Sequence, residues 1–246
     1  MVETPGGMLN AIGLQNIGVD RFVEEKLPHL LESGVRVIAN CWGNSVEDYE
    51  AVVSKLDAVA GVDALELNLS CPNKREWGDA TFASTAEGTQ EIVSAARKRT
   101  TKPLWVKLSP NVTDIAESAR AAEEGGADAV SLINTLKGMA VDVRSRRPVL
   151  SNRTGGLSGP AIKPVALYMV HRVAETVGIP VVGGGGIASG EDAAEFLMVG
   201  ASAVFVGTAS LYDPGAPARI SRELNDVLDS LGESSVSAFI GTLAGG

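Results

Sequence analysis

Pro180-Val-Val-Gly-Gly-Gly-Gly-Ile-Ala-Ser-Gly-Glu-Asp192 and, further on, Ala203-Val-Phe-Val-Gly-Thr208 decide how this chain folds. In both, an apolar run rich in β-branched residues stops at glycine, and in the first the glycines lead into Ser-Gly-Glu-Asp, a helix-start signal. Glycines let backbone N–H groups approach phosphate oxygens, and a helix start adds a favourable dipole. Four glycines can also form no more than a turn, although a plain turn rarely needs four in succession. A (β/α) barrel commonly holds a phosphate with the loops after its last two strands, so this pair of units favours a barrel over an open Rossmann sheet.

The same grammar runs backwards through the chain. A helical stretch, a short Gly-containing turn and a β-branched run recur, which predicts strands at Val35–Ala39, Ala64–Leu67, Leu104–Val106, Ala129–Ile133, Pro180–Val182 and Ala203–Val206. Three are introduced by nearly one phrase, Gly-Val-Asp-Ala-Leu at 61–65, Gly-Ala-Asp-Ala-Val at 126–130 and Gly-Ala-Ser-Ala-Val at 200–204, and a repeated turn implies repeated geometry. Ser45-Val-Glu-Asp, Thr113-Asp and Ser189-Gly-Glu-Asp open the helices between strands. Near-continuous apolar runs such as Ala203-Val-Phe-Val206 suit strands buried on both faces. The expected class is α/β, a (β/α)8 TIM-barrel type with only six βα units present, since a complete barrel has eight in ~250 residues. The stretch from Lys137 to Lys163 reads as a long loop with a functional role.

Composition narrows the function. The 246 residues carry 21 Lys+Arg against 30 Asp+Glu, a net charge of −9, with 45% apolar and 4% aromatic residues and 28 glycines. This fits one globular domain spanning 1–246, built with many tight loops. The negative balance disfavours nucleic acid. No basic start followed by an apolar stretch and no window of ~18 apolar residues is present, which points to a cytoplasmic protein without a membrane partner. Two cysteines cannot ligate a four-cysteine iron–sulfur cluster, and no His/Cys/carboxylate spacing suggests a metal.

In a barrel the chemistry sits where strands end, and the strand ends here are Asn40, Asn68, Lys107 and Asn134, followed by the glycine loops. Asparagine offers donors and an acceptor, which suits a heterocycle edged with N–H and C=O groups, although an isolated one is usually a turn former. Lys107, between Val106 and Leu108, calls for a negative partner, either a nearby carboxylate or an anionic ligand or reduced cofactor. Cys71 lies just past a strand in Asn68-Leu-Ser-Cys-Pro-Asn73. A lone cysteine can be a small buried hydrophobe, but between asparagines a thiolate could remove a proton if its intrinsic pKa of ~8.5 is lowered. Cys41 beside Trp42 reads as structural, and His29 and His171 fall within helices.

Asn68-Leu-Ser-Cys-Pro-Asn73, Val106-Lys-Leu-Ser-Pro-Asn-Val-Thr-Asp114, Ile133-Asn-Thr135 and Gly155-Gly-Leu-Ser-Gly-Pro-Ala-Ile-Lys-Pro164 closely resemble dihydroorotate dehydrogenase, across essentially the whole chain. The cysteine loop is similar to the soluble class 1 enzymes, and the Ile-Asn-Thr and Gly-Gly-Leu-Ser-Gly segments to the 1B catalytic subunit. The resemblance implies FMN and the oxidation of dihydroorotate to orotate in pyrimidine biosynthesis. Cys71 is then the general base for the C5 proton, and Lys107 stabilises the reduced flavin. Asn10, Gly13, Leu14, Asn68, Asn73, Asn134 and Thr135 match substrate positions. Asn40, Asn68, Lys107, Ile133, Gly159, Gly185, Gly186, Gly207 and Thr208 match FMN positions. The 1B form passes its electrons to a partner subunit with FAD and a [2Fe–2S] cluster, and so to NAD.

Met1-Val-Glu-Thr-Pro-Gly-Gly falls where family members are past their first two strands, a shortfall of roughly 60 residues that matches the strand count. Unpaired strand edges are then expected either to associate, giving a homo-oligomer, or to be covered by a rearranged N-terminal segment. The competing functional readings are a flavin-free remnant without redox activity, an FMN enzyme acting on a related dihydropyrimidine, and a phosphate-sugar barrel, which leaves the Cys71 loop unexplained.

Overall fold

The thrice-repeated turn builds the parallel strands. Gly61, Gly126 and Gly200 adopt φ values of 89°, 95° and 109°, a region that glycine enters without steric cost. The next residue, Val62, Ala127 or Ala201, is buried. The third then donates its N–H to the start of the preceding strand: Asp63 to the Val37 carbonyl at 2.8 Å, Asp128 to Leu104 at 2.8 Å and Ser202 to Val181 at 2.7 Å. The two aspartates close the turn a second time. Asp63 Oδ2 accepts from the Val37 N–H at 2.8 Å and Asp128 Oδ2 from the Leu104 N–H at 2.7 Å, while Arg36 and Arg97 pair with the same carboxylates. The Val37 N–H and Arg36 hold Asp63 below the usual aspartate range.

The computed structural model describes residues 1–70 and 85–244, in two compact units. One comprises Gly13–Leu108 and Glu117–Val130; the other comprises Met1–Ile12, Ser109–Ala116 and Ser131–Gly246. The six expected strands are present as Ile38–Cys41, Ala64–Asn68, Leu104–Lys107, Ala129–Leu132, Val181–Gly183 and Ala203–Val204.

In the Gly13–Val130 unit, Ile38–Cys41, Ala64–Asn68 and Leu104–Lys107 pair in parallel, with Asn40 opposite Glu66 and Asn68 opposite Lys107. The first strand starts three residues later than the apolar run suggests. Its partner begins at Ala64, opposite Ile38, so Val35 is left half exposed on the approach. The crossover helix Val46–Asp57 is capped by Ser45, whose hydroxyl accepts from the Asp48 N–H, and buries Tyr49, Val53 and Leu56 at helical spacing. Thr85 caps Ala86–Arg97 in the same way.

In the other unit, Val181–Gly183 pairs in parallel with Ala203–Val204, and Gly184 exchanges backbone bonds with Leu132 and Ile133. The last strand is shorter than the Ala-Val-Phe-Val run. Its partner ends at Gly183, because the Gly184 amide and carbonyl are used elsewhere, and only the Phe205 N–H still reaches Gly183. Ala203 is exposed and Val204 to Val206 half-buried, so this strand is not buried on both faces as the run implied. Before the Ile115–Glu124 helix it is Asp114 rather than Thr113 whose side chain takes the free N–H, that of Ala116 at 3.0 Å.

The stretch expected to be a long loop holds four short strands. Leu136–Gly138 and Gly155–Ser158 pair antiparallel, and Val141–Asp142 pairs with Arg147–Pro148 beyond them. The N-terminal hairpin Val2–Thr4 and Gly7–Asn10 completes this four-stranded sheet against Gly155–Ser158, with Leu9 opposite Leu157. The N-terminal segment therefore joins an antiparallel sheet and does not extend the parallel strands. At the chain's far end, Ala194, Leu197, Leu228 and Phe239 form a buried cluster joining the Gly190–Met198, Ala216–Ser230 and Val236–Phe239 helices. Among the described residues no helix is long and apolar enough to cross a membrane.

Phe196 is fully buried, and a Cβ on Gly183 would lie 2.9 Å from its ring. Phe196→Ala is expected to cost about 3–5 kcal/mol in urea unfolding; a loss below about 1 kcal/mol would mean the ring is not the packing centre of this unit.

Candidate functional site

Alternation along the strands separates two faces in the Gly13–Val130 unit. Ala39, Cys41, Leu65, Leu67, Leu104 and Val106 are buried. The residues between them, Asn40, Glu66, Asn68, Trp105 and Lys107, are exposed or half-buried and stand in register across three strands. Asn40 Nδ2 donates to Glu66 Oε2 at 2.5 Å, which turns the asparagine's own oxygen away from the carboxylate. Asn68 Oδ1 accepts from the N–H and hydroxyl of Ser70, and its backbone carbonyl accepts from the Tyr49 hydroxyl at 2.8 Å. The strand end that precedes Cys71 is thus fixed through both its side chain and its backbone. Gly13, Leu14, Ile38 and Asn40 help to line a cavity of about 730 Å³ in this unit.

Cys41 sits on the other face. Burial, reinforced by the charge of Glu66, pushes its thiol up to about 12, so it stays protonated and has no nucleophilic role. His29 and His171 lie on helices beside Glu32 and Glu175. Among the described residues no three His, Cys, Asp or Glu side chains gather as a metal site.

In the other unit the glycine loops converge. Gly185 and Gly186 have φ of 133° and 90°, and a Cβ on Gly186 would come within 2.8 Å of the Gly159 carbonyl. A Cβ on Gly159 would lie 3.6 Å from Thr208 Cγ2. Gly159, Gly186 and Thr208 therefore meet. Among the described residues nothing accepts from the Gly185, Gly186 or Gly207 N–H groups. Gly207 differs from the others, because a Cβ there would meet nothing within 4 Å, so the protein's own packing does not require a glycine. Next to this cluster, the buried Ser158 hydroxyl has no partner.

The helix start behaves otherwise than the sequence suggests. Ser189 and Asp192 form a capping box, the Ala188 and Ser189 N–H groups go to Asp192 Oδ2, and the Gly190 N–H goes to Glu223 Oε2 at 2.9 Å. These amides are taken by the protein's own carboxylates. An anion would have to be met by the glycine loops, not by this helix end.

Asn10 ends its strand opposite Gly156, Ile133 is buried, and Asn134 and Thr135 are half-buried. A Cβ on Gly156 would lie 2.1 Å from Thr135 Oγ1, so that glycine admits the threonine side chain against the strand.

The dihydroorotate dehydrogenase family profile matches residues 1–228. A protein of Citrifermentans bemidjiense described as dihydroorotate dehydrogenase B (NAD(+)), catalytic subunit, is 55% identical over 243 residues, 99% of this chain and 79% of the relative. One of the same description from Geobacter sp. strain M21 is also 55% identical over 243 residues, with the same shares of each chain. Another, from Trichlorobacter lovleyi, is 53% identical over 245 residues, 100% of this chain and 80% of the relative. The chain belongs to the dihydroorotate dehydrogenase family.

As a dihydroorotate dehydrogenase it is an oxidoreductase of pyrimidine biosynthesis, and its strand–helix units are those of a (β/α)-barrel family. The structure groups the expected residues within each unit: Asn40, Asn68 and Lys107 on one strand face, and Gly159, Gly186 and Thr208 around the unpaired amides. Cys71 and Asn73 lie outside the described residues. Two neighbours escaped the sequence reading. Glu66 was legible as a charge in mid-strand. Asn111 donates to the Thr135 carbonyl at 3.0 Å and accepts from the Lys137 N–H at 2.8 Å, clamping the segment after Asn134; its only signal was its place in the Ser-Pro-Asn-Val-Thr-Asp motif.

Gly186→Ala must adopt a positive φ and displace the Gly159 carbonyl, so it is expected to lose more than about 1–2 kcal/mol of stability. Gly207→Ala should stay within about 0.5 kcal/mol of the parent. Equal losses in urea unfolding would contradict this account of the two glycines.

Proposed function

We propose that this dihydroorotate dehydrogenase binds FMN and oxidises dihydroorotate to orotate as the catalytic subunit of a two-subunit enzyme. The observation that carries the reading is the group of three unpaired glycine N–H groups beside an orphaned Ser158 hydroxyl, with open space over Gly207. Unpaired backbone donors so gathered suit the oxygens of a phosphate, and FMN is a flavin that ends in one.

Gly159, Gly185, Gly186, Gly207 and Thr208 would hold the phosphate, with Ile133 among the residues that would hold the flavin. Asn40, Asn68 and Lys107 would serve the ring, where the Lys107 ammonium would stabilise negative charge. Asn10, Gly13, Leu14, Asn68, Asn73, Asn134 and Thr135 hold the dihydroorotate ring and its carboxylate, since amides present both donors and acceptors to alternating N–H and C=O groups. The Cys71 thiolate removes the C5 proton. Bound FMN supplies the two-electron acceptor for the C6 hydride. The relatives' names, with their NAD(+) and catalytic subunit, support a partner subunit that passes the electrons on to NAD; in the proposal that partner carries FAD and [2Fe–2S], and the assembly is homo-oligomeric and cytoplasmic. The shared identity across the chain favours dihydroorotate over a related dihydropyrimidine and argues against a flavin-free remnant.

In Cys71→Ala, FMN should remain bound with unchanged affinity while anaerobic flavin reduction by dihydroorotate slows about 10²–10⁴-fold. Reduction at the parent rate would remove Cys71 from the mechanism.

A further inference from the structure

Lys163 lies in the Gly-Gly-Leu-Ser-Gly-Pro-Ala-Ile-Lys-Pro motif four residues beyond Gly159, at the start of the Lys163–Ala174 helix. A lysine so close to a phosphate cradle invites the role of phosphate ligand, but its bonds run to the protein's own carboxylates. Lys163 Nζ lies 2.6 Å from Asp192 Oδ1 and 2.8 Å from Glu195 Oε2, and its side chain is only 24% exposed. Its charge is already countered by two carboxylates. Burial opposes the ammonium, yet the bonds to Asp192 and Glu195 outweigh it and hold Lys163 above the usual lysine value. Asp192 is likewise held below the usual aspartate value in spite of its burial, chiefly by Lys163 and the Ala188 N–H.

The bonds form a continuous path. From Gly159 the chain runs through the Pro160–Ile162 turn to Lys163, across to Asp192, and from Asp192 Oδ2 to the Ala188 and Ser189 N–H groups that follow Gly185 and Gly186. A second contact closes the loop: a Cβ on Gly186 would meet the Lys163 backbone N at 3.0 Å and its Cβ at 2.9 Å. Lys163 thus packs against Gly186 with its backbone and, through its side chain and Asp192, secures Ala188 and Ser189 directly after it.

We propose that Lys163, with Asp192 and Glu195, is a positioning residue that sets the spacing of the Gly159 and Gly185–Gly186 arms to that of a phosphate group without touching the phosphate. This rests on the FMN reading above. Because the strut governs only the phosphate end, its loss should be felt by FMN and not by riboflavin, which lacks the phosphate.

The test is titration of the parent and of Lys163→Met, Asp192→Asn and Glu195→Gln with FMN and with riboflavin, followed by flavin fluorescence. Lys163→Met and Asp192→Asn should each weaken FMN about tenfold, as expected for one charge-assisted bond, and leave riboflavin within about twofold. The Lys163→Met/Asp192→Asn pair should be no worse than either alone, since both break one path. Glu195→Gln, the mildest change, should weaken FMN about two- to threefold and carries the test if the others fail to fold. Unchanged FMN affinity in the variants, or equal losses for both flavins, would overturn the positioning role and leave the cofactor reading standing. A parent chain that binds FMN no better than riboflavin would overturn the phosphate cradle itself, and the proposal with it.

Discussion

Three of the parallel strands, Ala64–Asn68, Ala129–Leu132 and Ala203–Val204, depend on how they are started, and their neighbours take register from them. A glycine at positive φ reverses the chain after a helix, one small or branched residue turns into the core, and the next residue closes a backbone bond onto the preceding strand. Where that residue is Asp63 or Asp128, its carboxylate also captures the neighbouring strand's N–H. Register follows from this closure, and a one-residue slip would exchange the two faces of the strand. Asn68 stands on the polar face because the turn before its strand fixes where alternation begins, and Asn40 and Lys107 share that face through their register with it.

That alternation assigns the chemistry. Side chains toward the helices are apolar and buried, including Cys41, whose thiol is pushed up to about 12 and removed from reactivity. The opposite face carries amides, Glu66 and Lys107. In the other unit the same economy applies to the backbone. The helix after the glycine loop uses its first amides on Asp192 and Glu223, whereas Gly185, Gly186 and Gly207 keep theirs. Among the described residues the unit thus separates amides that stabilise the fold from amides that the fold leaves unused.

Features governed by neighbours in sequence were legible from it: the six strands, the Ser45 and Ser189 caps, the repeated turn and the glycine loops. Features governed by distant partners were not. The segment after Leu136 becomes β-structure because Gly155–Ser158 finds the N-terminal hairpin, and a Cβ on Gly7 would sit 2.1 Å from the Ser158 carbonyl, an approach no local pattern announces. The first strand begins at Ile38 and not Val35 because its partner begins at Ala64. The phosphate-facing role expected of the helix start failed for the same reason, since Glu223 takes the Gly190 N–H from 33 residues away. Site residues on strand ends could be named from the sequence, while Glu66, Asn111 and Lys163 act through contacts that only the fold creates.

A flavin site able to accept electrons from dihydroorotate is the central requirement of the proposed reaction. The most direct measurement is the visible spectrum of the chain saturated with FMN and freed of excess, recorded anaerobically before and after dihydroorotate. A protein-bound flavin band that bleaches on addition of dihydroorotate is the predicted result. A chain that retains no flavin, or a bound flavin that stays oxidised, would contradict it.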